Sequence, residues 1–326
     1  MRALVCRDFG PLDTLRVERV EPAPLAEGQL RIAVAACGIN FPDVLLVQGL
    51  YQVKPPLPFF PGGEVSGTVQ ELGPGVSGFE IGQAVMATIY WGGLAEFATA
   101  PAAAVLPVPP GMNLHSAAVF QGGHTTVYHA LVQRAALRRG ETLLVLGAAG
   151  GVGMAAMQIG RALGARVIGA AGSARKVDAL RVAGYGDVIN YSDGNLREQL
   201  RSLAGPQGVD VILDPVGGDL FDQACRCVRS GSRVLVVGFA SGRIPQYPAN
   251  IALLKESALI GVNYQQFHAR EPDLARRNFA ELARLYADGL IAPHIDRVFS
   301  LTDAASALAA MADRSVIGKI LVAVRP

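Results

Sequence analysis

A glycine-rich segment carries the residue types with the most definite chemistry in this sequence. It reads Leu143-Leu144-Val145-Leu146-Gly147-Ala148-Ala149-Gly150-Gly151-Val152-Gly153, an apolar strand pattern that runs through glycines into a helical pattern. Small residues let a backbone approach a pyrophosphate, and free amides at a helix N-terminus donate to it. We therefore predict a dinucleotide contact at Gly150, Gly151 and Val152, with a helix beginning near Gly151. Ala148 replaces the usual first glycine, so a close-packed turn that binds nothing is the alternative.

The residues about 20 positions beyond this loop distinguish the two nicotinamide dinucleotides, since an NAD enzyme usually has Asp or Glu there to accept from the ribose 2′-hydroxyl. This sequence has Gly169-Ala170-Ala171-Gly172-Ser173-Ala174-Arg175-Lys176 instead. A carboxylate would repel a 2′-phosphate, whereas Ser173, Arg175 and Lys176 can donate to it. We expect NADPH as the cofactor. A solvated helix face would explain the two cations but not the missing acid.

Two kinds of sequence pattern must position these residues. Up to about Pro110, short β-like runs separated by Gly and Pro predict a β-rich domain of partly open barrel type. Between 142 and 237, apolar strands alternate with helical segments, which predicts a doubly wound parallel sheet. The last segments of that sheet are a helix over 219–228 and a strand over 232–237. From about Tyr264 the pattern changes again.

The C-terminal pattern predicts a helix over 273–288, a strand over 296–299, a helix over 302–312 and a strand over 318–324. We expect this tail to return to the first domain. The predicted boundaries therefore place 1–117 and 265–326 in the β-rich domain and 118–264 in the nucleotide-binding domain.

Composition excludes several classes of protein. The 326 residues are 51% hydrophobic and 17% charged, which excludes disorder. The net charge of +2, without a run of Lys and Arg, argues against nucleic acid as a partner. Glycines interrupt the most apolar stretch, so no membrane span is expected. The strand-like N-terminus shows no secretory signal, so we expect a cytoplasmic enzyme. The four scattered cysteines are expected to be small buried apolar residues.

Ordered motifs along the chain resemble the medium-chain dehydrogenase/reductase superfamily. They are the glycine-rich segment together with Ala36-Cys37-Gly38-Ile39-Asn40-Phe41-Pro42-Asp43, Leu57-Pro58-Phe59-Phe60-Pro61-Gly62-Gly63-Glu64-Val65-Ser66-Gly67 and Gly318-Lys319-Ile320. Within the superfamily, the chain most resembles the zinc-free NADPH:quinone oxidoreductase, or zeta-crystallin-like, branch. The resemblance implies an α/β protein with a GroES-like β-rich catalytic domain and a Rossmann nucleotide-binding domain. It also implies a homodimer joined through the nucleotide domain, where the apolar run 234–237 would offer an edge.

The resemblance also shows what is missing for a zinc enzyme. Zinc-dependent alcohol dehydrogenases of the superfamily have metal ligands where this chain has Asn40 and Gly63, and a third near Gln121. These residues cannot form the ligand shell of a catalytic zinc, so no metal is expected. Without a Lewis acid to stabilise an alkoxide, the chemistry left is hydride transfer to an acceptor that is already electrophilic.

Roles for individual residues follow from the same resemblance. Asn40 would lie against the nicotinamide and donate to the substrate oxygen that gains charge, although capping the turn before Pro42 is an alternative role. Tyr51 would line the acceptor pocket or donate a proton, with plain packing as the alternative. Asp43 and Glu64 are expected to be structural, tying the Asn40 turn to neighbouring cations. The other positions that the resemblance places at the cofactor are Thr125, Gly172, Lys176, Tyr191, Phe239, Ser241 and Lys319.

Three functions remain open at this point. The leading interpretation is an NADPH-dependent reductase of quinones. The second keeps the cofactor and changes the acceptor to an α,β-unsaturated carbonyl or an enoyl thioester, with the segment 244–270 shaping the pocket. The third is a crystallin-like protein that binds NADPH without turnover. In each case the partner is a small molecule, with neither nucleic acid nor membrane.

Overall fold

The computed structural model describes residues 1–325. Its strands, in chain order, are β1 (Arg2–Val5), β2 (Arg16–Arg19), β3 (Gln29–Ile39), β4 (Glu64–Leu72), β5 (Ala84–Thr88), β6 (Phe97–Pro101), β7 (Val105–Pro107), β8 (Thr142–Leu146), β9 (Arg166–Ala171), β10 (Val188–Asn190), β11 (Val209–Asp214), β12 (Val228–Val236), β13 (Ala258–Gly261), β14 (Ile295–Ser300) and β15 (Lys319–Ala323).

The helices, in the same order, are α1 (Phe41–Val47), α2 (Leu114–Ala117), α3 (Gln121–Tyr128), α4 (Gly151–Ala162), α5 (Ala174–Val182), α6 (Leu196–Ala204), α7 (Gly218–Ala224), α8 (Ala249–Lys255), α9 (Tyr264–Arg270), α10 (Pro272–Ala287) and α11 (Ala304–Ala312). Helix α3 continues into a π-helical turn, His129–Arg134. The chain forms two compact units, Met1–Gly122 with the chain from Pro293 onward, and Gly123–Ala292.

The first unit is a β-rich domain of the GroES-like type. Its main sheet has the order β14-β15-β3-β4-β5-β7, with β6 also paired to β3, and β1 and β2 form a small separate sheet. The C-terminal strands return to this sheet as the sequence predicts, because β15 pairs antiparallel with β3. Buried aliphatic side chains from β3, β4 and α11, such as Ile32, Val65 and Leu308, form the core.

The second unit is a Rossmann domain, as predicted. Its six parallel strands have the order β10-β9-β8-β11-β12-β13. Strand β8 lies inside the sheet with Leu143, Leu144, Val145 and Leu146 fully buried, which is the continuous apolar run typical of a parallel strand covered on both faces. The strand and helix at the glycine-rich segment, β8 and α4, begin where the sequence places them.

The boundary of the second unit differs from the predicted one. We predicted a return to the β-rich domain at 265, whereas the second unit continues to Ala292. Side-chain contacts explain the difference. The His129 ring stacks on Phe267 at 3.9 Å between centroids, and Asn278 exchanges two amide hydrogen bonds, of 3.0 and 3.1 Å, with Gln133. Helices α9 and α10 therefore pack on the Rossmann unit.

Two local predictions at the end of the parallel sheet are wrong. The predicted helix 219–228 ends at Ala224, because Cys225–Cys227 form a 3-10 turn and β12 already begins at Val228. The predicted sheet edge at 234–237 lies inside the sheet, because β12 pairs with β11 on one side and with β13 on the other. The outer strand is β13.

Two other expectations concern membrane segments and cysteines. Within residues 1–325, no helix is both long and apolar enough to cross a bilayer. All four cysteines are buried free thiols, which confirms their predicted packing role.

Candidate active site

Strand register brings three distant residues together at one end of the first sheet. The pairing of Ile320 with Ile39 places Lys319, the first residue of β15, beside Asn40 at the end of β3. The pairing of Gly38 with Glu64 places the first residue of β4 on the other side. Three neighbouring strand ends thus present an amide, a carboxylate and an ammonium to one another.

These three side chains form a closed set of hydrogen bonds. The Lys319 Nζ donates to Asn40 Oδ1 at 2.5 Å and to Glu64 Oε2 at 2.9 Å. The Asn40 Nδ2 donates to the same Glu64 oxygen at 3.2 Å. The other oxygen, Glu64 Oε1, accepts from the Gly122 backbone amide at 2.7 Å. Each group that carries a charge therefore has an oppositely polarised partner, as buried charges require.

The charged members of this cluster are shielded from water, while Asn40 is only half-buried. Glu64 is 1% exposed and Lys319 is 6% exposed. The Asn40 amide nitrogen carries two hydrogens. One N–H serves Glu64, and the other has no partner among residues 1–325. This N–H is the group that a substrate oxygen can use.

Asp43 fixes the backbone of the Asn40 turn. Its Oδ2 accepts from the Asn40 amide at 2.7 Å at the start of α1, and it also accepts from the Gly63 amide. Burial raises the pKa of Asp43 to about 7, against the opposing effects of these backbone hydrogen bonds and of Lys319. Asp43 and Glu64 thus hold the Asn40 turn and the Lys319 cation.

The positions that would hold zinc lie in and beside this cluster. Gly63 has no side chain, and a Cβ there would lie 2.8 Å from the Ile89 carbonyl oxygen and 3.5 Å from Asp43 Oδ1. Gln121 is buried at the start of α3. Among residues 1–325, no three His, Cys, Asp or Glu side chains are grouped so that they could hold a metal ion. The donor set here is therefore an amide, a carboxylate and an ammonium.

Tyr51 lies just after α1, the helix that begins beside Asn40. It is half-buried against the core of the first unit, and its backbone amide donates to the Leu45 carbonyl at 3.3 Å. Burial raises the pKa of Tyr51, with smaller contributions from Tyr90 and Asp43. Its hydroxyl is therefore protonated at neutral pH, which a proton donor requires.

The glycine-rich loop in the second unit has the geometry of an anion site. Gly150 precedes α4, and the first bond inside the helix runs from the Met154 amide to the Gly150 carbonyl at 2.7 Å. The amides of Gly151, Val152 and Gly153 lie before that bond, at the positive end of the helix dipole. A Cβ on Gly153 would lie 2.2 Å from the Gly147 carbonyl oxygen, so only glycine permits this turn.

The structure brings Gly172 and Tyr191 together at the carboxyl ends of β9 and β10. A Cβ on Gly172 would lie 2.6 Å from the Tyr191 hydroxyl, so the glycine provides the space that the tyrosine ring occupies. Next to it, Ser173 caps α5 by accepting from the Lys176 amide at 3.4 Å. Arg175 is exposed and Lys176 is half-buried in the first turn of α5. These groups can surround a phosphate.

The remaining predicted cofactor residues lie at three other places. Thr125 is buried in α3, and its side chain is hydrogen-bonded to Tyr264, a contact that the sequence did not reveal. Phe239 is 40% exposed in the loop after β12. The Ser241 hydroxyl bonds within its own turn, accepting from the Arg243 amide at 3.2 Å. Lys319 belongs to the Asn40 cluster.

The hydrogen bond between Lys319 and Asn40 was not predicted from the sequence. One signal was available: a single lysine at the start of an apolar strand, Lys319–Ala323, needs a buried partner. The expectation that Glu64 is bound to a cation agrees with the structure, which identifies the cation as a residue 255 positions away.

A GroES-like domain, a Rossmann domain and a glycine-rich loop at a helix N-terminus define a nucleotide-dependent dehydrogenase or reductase. The model of the alcohol dehydrogenase GroES-like domain matches residues 26–110, and that of the zinc-binding dehydrogenase matches residues 151–283. Quinone oxidoreductase-like protein 2 of Bos taurus is 36% identical over 325 residues, with 99% of this chain and 93% of the relative covered.

Solved structures agree with these matches. The quinone oxidoreductase of Escherichia coli complexed with NADPH has a TM-score of 0.90 and 27% identity, covering 99% of this chain and 100% of that one. The CurK enoyl reductase has a TM-score of 0.87 and 25% identity, covering 99% and 98%. This chain belongs to the quinone oxidoreductase branch of the medium-chain dehydrogenase/reductase superfamily.

Proposed function

We propose that this protein is a zinc-independent, NADPH-dependent oxidoreductase that transfers hydride to a quinone. One observation carries the proposal. At the strand end where zinc enzymes of the superfamily have a metal ligand, the Asn40 amide is held between Lys319 and Glu64 and directs one N–H away from both. A hydrogen-bond donor thus stands in the place of a Lewis acid.

The chemistry of a quinone suits such a donor. Reduction puts negative charge on a carbonyl oxygen, and a preorganised N–H stabilises that charge more in the transition state than in the ground state. When bound, NADPH supplies the hydride. Asn40 supplies the hydrogen bond to the oxygen, and the buried Lys319 lowers the cost of negative charge beside it. Because a quinone accepts hydride readily, no metal is needed to polarise it.

The preference for NADPH rests on the second unit. The end of β9 has no carboxylate, and Gly172, Ser173, Arg175, Lys176 and Tyr191, which lie at or next to this end, would contact a 2′-phosphate. The amides of Gly150, Gly151 and Val152 would face the pyrophosphate. Further contacts with the cofactor are proposed for Asn40, Thr125, Phe239 and Ser241.

A second candidate function is the reduction of an α,β-unsaturated carbonyl or an enoyl thioester. The half-buried Tyr51 favours it, because hydride addition to an enone leaves a carbanion that needs a placed proton, and the hydroxyl of Tyr51 keeps its proton at neutral pH. The likeness to an enoyl reductase also supports it. A protein that only binds NADPH is the third possibility.

One panel of acceptors separates the three functions. NADPH oxidation is measured with benzoquinone, phenanthrenequinone, a short alkenal and crotonyl-CoA, with heat-denatured protein as the blank. We expect the largest kcat/KM with a quinone. A larger value with the alkenal or crotonyl-CoA would assign the enoyl reductase function. Binding of NADPH without oxidation by any acceptor would assign the crystallin-like role.

We also propose a homodimer that forms through β13, the outer strand of the parallel sheet. An outer strand offers unpaired backbone groups to a second copy. Leu253, Leu254 and Leu259 on and beside this edge are 79%, 75% and 48% exposed. Light scattering should give twice the mass of one chain for the wild type. Leu253→Asp should shift the measured mass toward that of one chain. The control Val182→Asp, at another exposed site, should leave the measured mass unchanged.

A further inference from the structure

We propose that Lys319 is a positioning residue for Asn40: it fixes the orientation of the Asn40 amide so that one N–H faces the acceptor. This inference rests on the proposed function and deepens it by assigning a task to a residue that the resemblance places only at the cofactor. It follows from three contacts within the first unit and from the burial of the groups that make them.

The amide of an asparagine can present either its oxygen or its NH₂ group in a given direction, depending on a half-turn of its side chain. In this structure both neighbours select the same orientation. Lys319 can only donate, so it requires Oδ1, and it approaches that atom at 2.5 Å. The Glu64 carboxylate accepts, so it requires Nδ2, which lies 3.2 Å away. The reversed amide would place like poles together at both contacts.

The lysine also changes the strength of the donor. A cation on an amide oxygen draws electron density from the nitrogen and makes its N–H groups better donors, which is the polarisation along hydrogen-bond chains expected at low dielectric. Glu64 holds one of the two N–H groups. The effect of Lys319 on donor strength therefore reaches the acceptor through the second N–H of Asn40.

The position of Lys319 fits this role better than direct contact with a cofactor phosphate. The residue is 6% exposed, and its ammonium already donates to Asn40 and to Glu64. Strand register sets this placement, because Ile320 pairs with Ile39. A phosphate-binding lysine would instead keep its ammonium toward solvent.

Removal of Lys319 alone leaves Glu64 as an unpaired buried charge, and such a variant can fail to fold. The test therefore uses four proteins besides the wild type. These are the single variant Lys319→Arg, the double variant Lys319→Met with Glu64→Gln, and the triple variant that adds Asn40→Ala to this pair. The fourth is the control Lys54→Met, which removes an exposed cation of the same unit. Circular dichroism confirms that each is folded.

Kinetics with phenanthrenequinone distinguish a Lys319 that positions Asn40 from a Lys319 that binds NADPH. If Lys319 positions Asn40, the Lys319→Met and Glu64→Gln pair lowers kcat about ten-fold, the loss expected for a weakened oxyanion donor, and changes the dissociation constant of NADPH less than about three-fold. Adding Asn40→Ala to this double variant then lowers kcat little further, because the double variant has already lost the contribution that the oriented Asn40 amide makes. Lys319→Arg keeps most of the activity, and Lys54→Met keeps all of it. A loss of NADPH affinity with an unchanged kcat at saturating NADPH would overturn the proposal. The proposal would also be overturned if Asn40→Ala lowered the kcat of the double variant by as large a factor as it lowers that of the wild type.

A second readout does not depend on turnover. With ¹⁵N-asparagine labelling, the side-chain NH₂ signals of Asn40 are identified by their loss in Asn40→Asp. The spectrum of the single variant Glu64→Gln is then compared with the spectrum of the double variant Lys319→Met with Glu64→Gln. These two proteins differ only at Lys319. We expect the Asn40 signals to shift and broaden when Lys319 is removed. Unchanged signals would overturn the positioning role, whereas an inactive wild type with shifted signals would overturn only the proposed function.

Discussion

The Lys319 ammonium donates to the amide oxygen of Asn40 at 2.5 Å, although 279 positions separate the two residues. The contact joins the turn after β3 to the first residue of the last strand. It gives the half-buried Asn40 a fixed orientation and a cation next to it.

Asn40→Ala should lower turnover more than affinity. We expect kcat with a quinone to fall about ten-fold, less than the loss of 10² to 10³ typical of a full oxyanion-hole donor, because a quinone accepts hydride readily. Steady-state kinetics with saturating NADPH would measure this. Tyr51→Phe is the matched control, since it deletes only a hydroxyl and should barely change quinone reduction. If Tyr51→Phe abolished turnover and Asn40→Ala did not, the roles would have to be exchanged.

The double replacement Arg175→Ala and Lys176→Ala tests the choice of cofactor. Each charge-assisted hydrogen bond lost to the 2′-phosphate should weaken NADPH binding by roughly 1.5 to 3 kcal/mol, while NADH binding stays nearly unchanged. Fluorescence titration with both cofactors would show the difference, with Lys255→Ala as a control for the loss of a cation elsewhere in the unit. Equal losses for the two cofactors would mean that these cations do not contact the phosphate.

Gly172→Ala tests the close contact between Gly172 and Tyr191. The new Cβ would lie 2.6 Å from the tyrosine hydroxyl, so the ring must move and the predicted phosphate site should be distorted. We expect weaker binding of NADPH, measured by titration, with a smaller effect on NADH. Gly186→Ala is the control, because a Cβ there meets nothing within 4 Å. Unchanged NADPH affinity in Gly172→Ala would show that Gly172 and Tyr191 are not part of the cofactor site.

Asp43 should give the protein a distinctive dependence of stability on pH. Burial raises its pKa in the folded protein from 3.8 to about 7. Its contribution to the free energy of unfolding is therefore fully present below about pH 4 and is lost as the pH rises toward 7, with a size on the order of 4 kcal/mol. Urea unfolding across this range should show the decline in the wild type but not in Asp43→Asn.

The exposed Asp13 provides the control for this experiment, because Asp13→Asn should keep the wild-type slope. The same slope in Asp43→Asn as in the wild type would show that another group titrates.

Local patterns account for the features that the sequence predicted well. Strand β8, helix α4 and the turn between them follow from an apolar run, glycines at the turn and a helical period, all within a few residues. The two-unit organisation and the return of the C-terminal strands also follow from changes in local pattern.

The features that the sequence missed depend on tertiary contacts. Helices α9 and α10 have no local signal for the unit on which they pack, and the Phe267 and Asn278 contacts decide it. Strand β12 lies inside the sheet because the short strand Ala258–Gly261 pairs with it. This strand has no long apolar run by which the sequence could have predicted it. The pairing of Lys319 with Asn40 depends on strand register, which sequence alone does not specify here.

The measurement that tests the central claim most directly is NADPH oxidation by phenanthrenequinone in protein dialysed against a chelator, with the zinc content determined on the same sample. The proposal predicts less than stoichiometric zinc, full activity in chelator, and a drop of about ten-fold in kcat when Asn40 is replaced by Ala. One tightly held zinc per chain, with activity lost in chelator and restored by zinc, would contradict it.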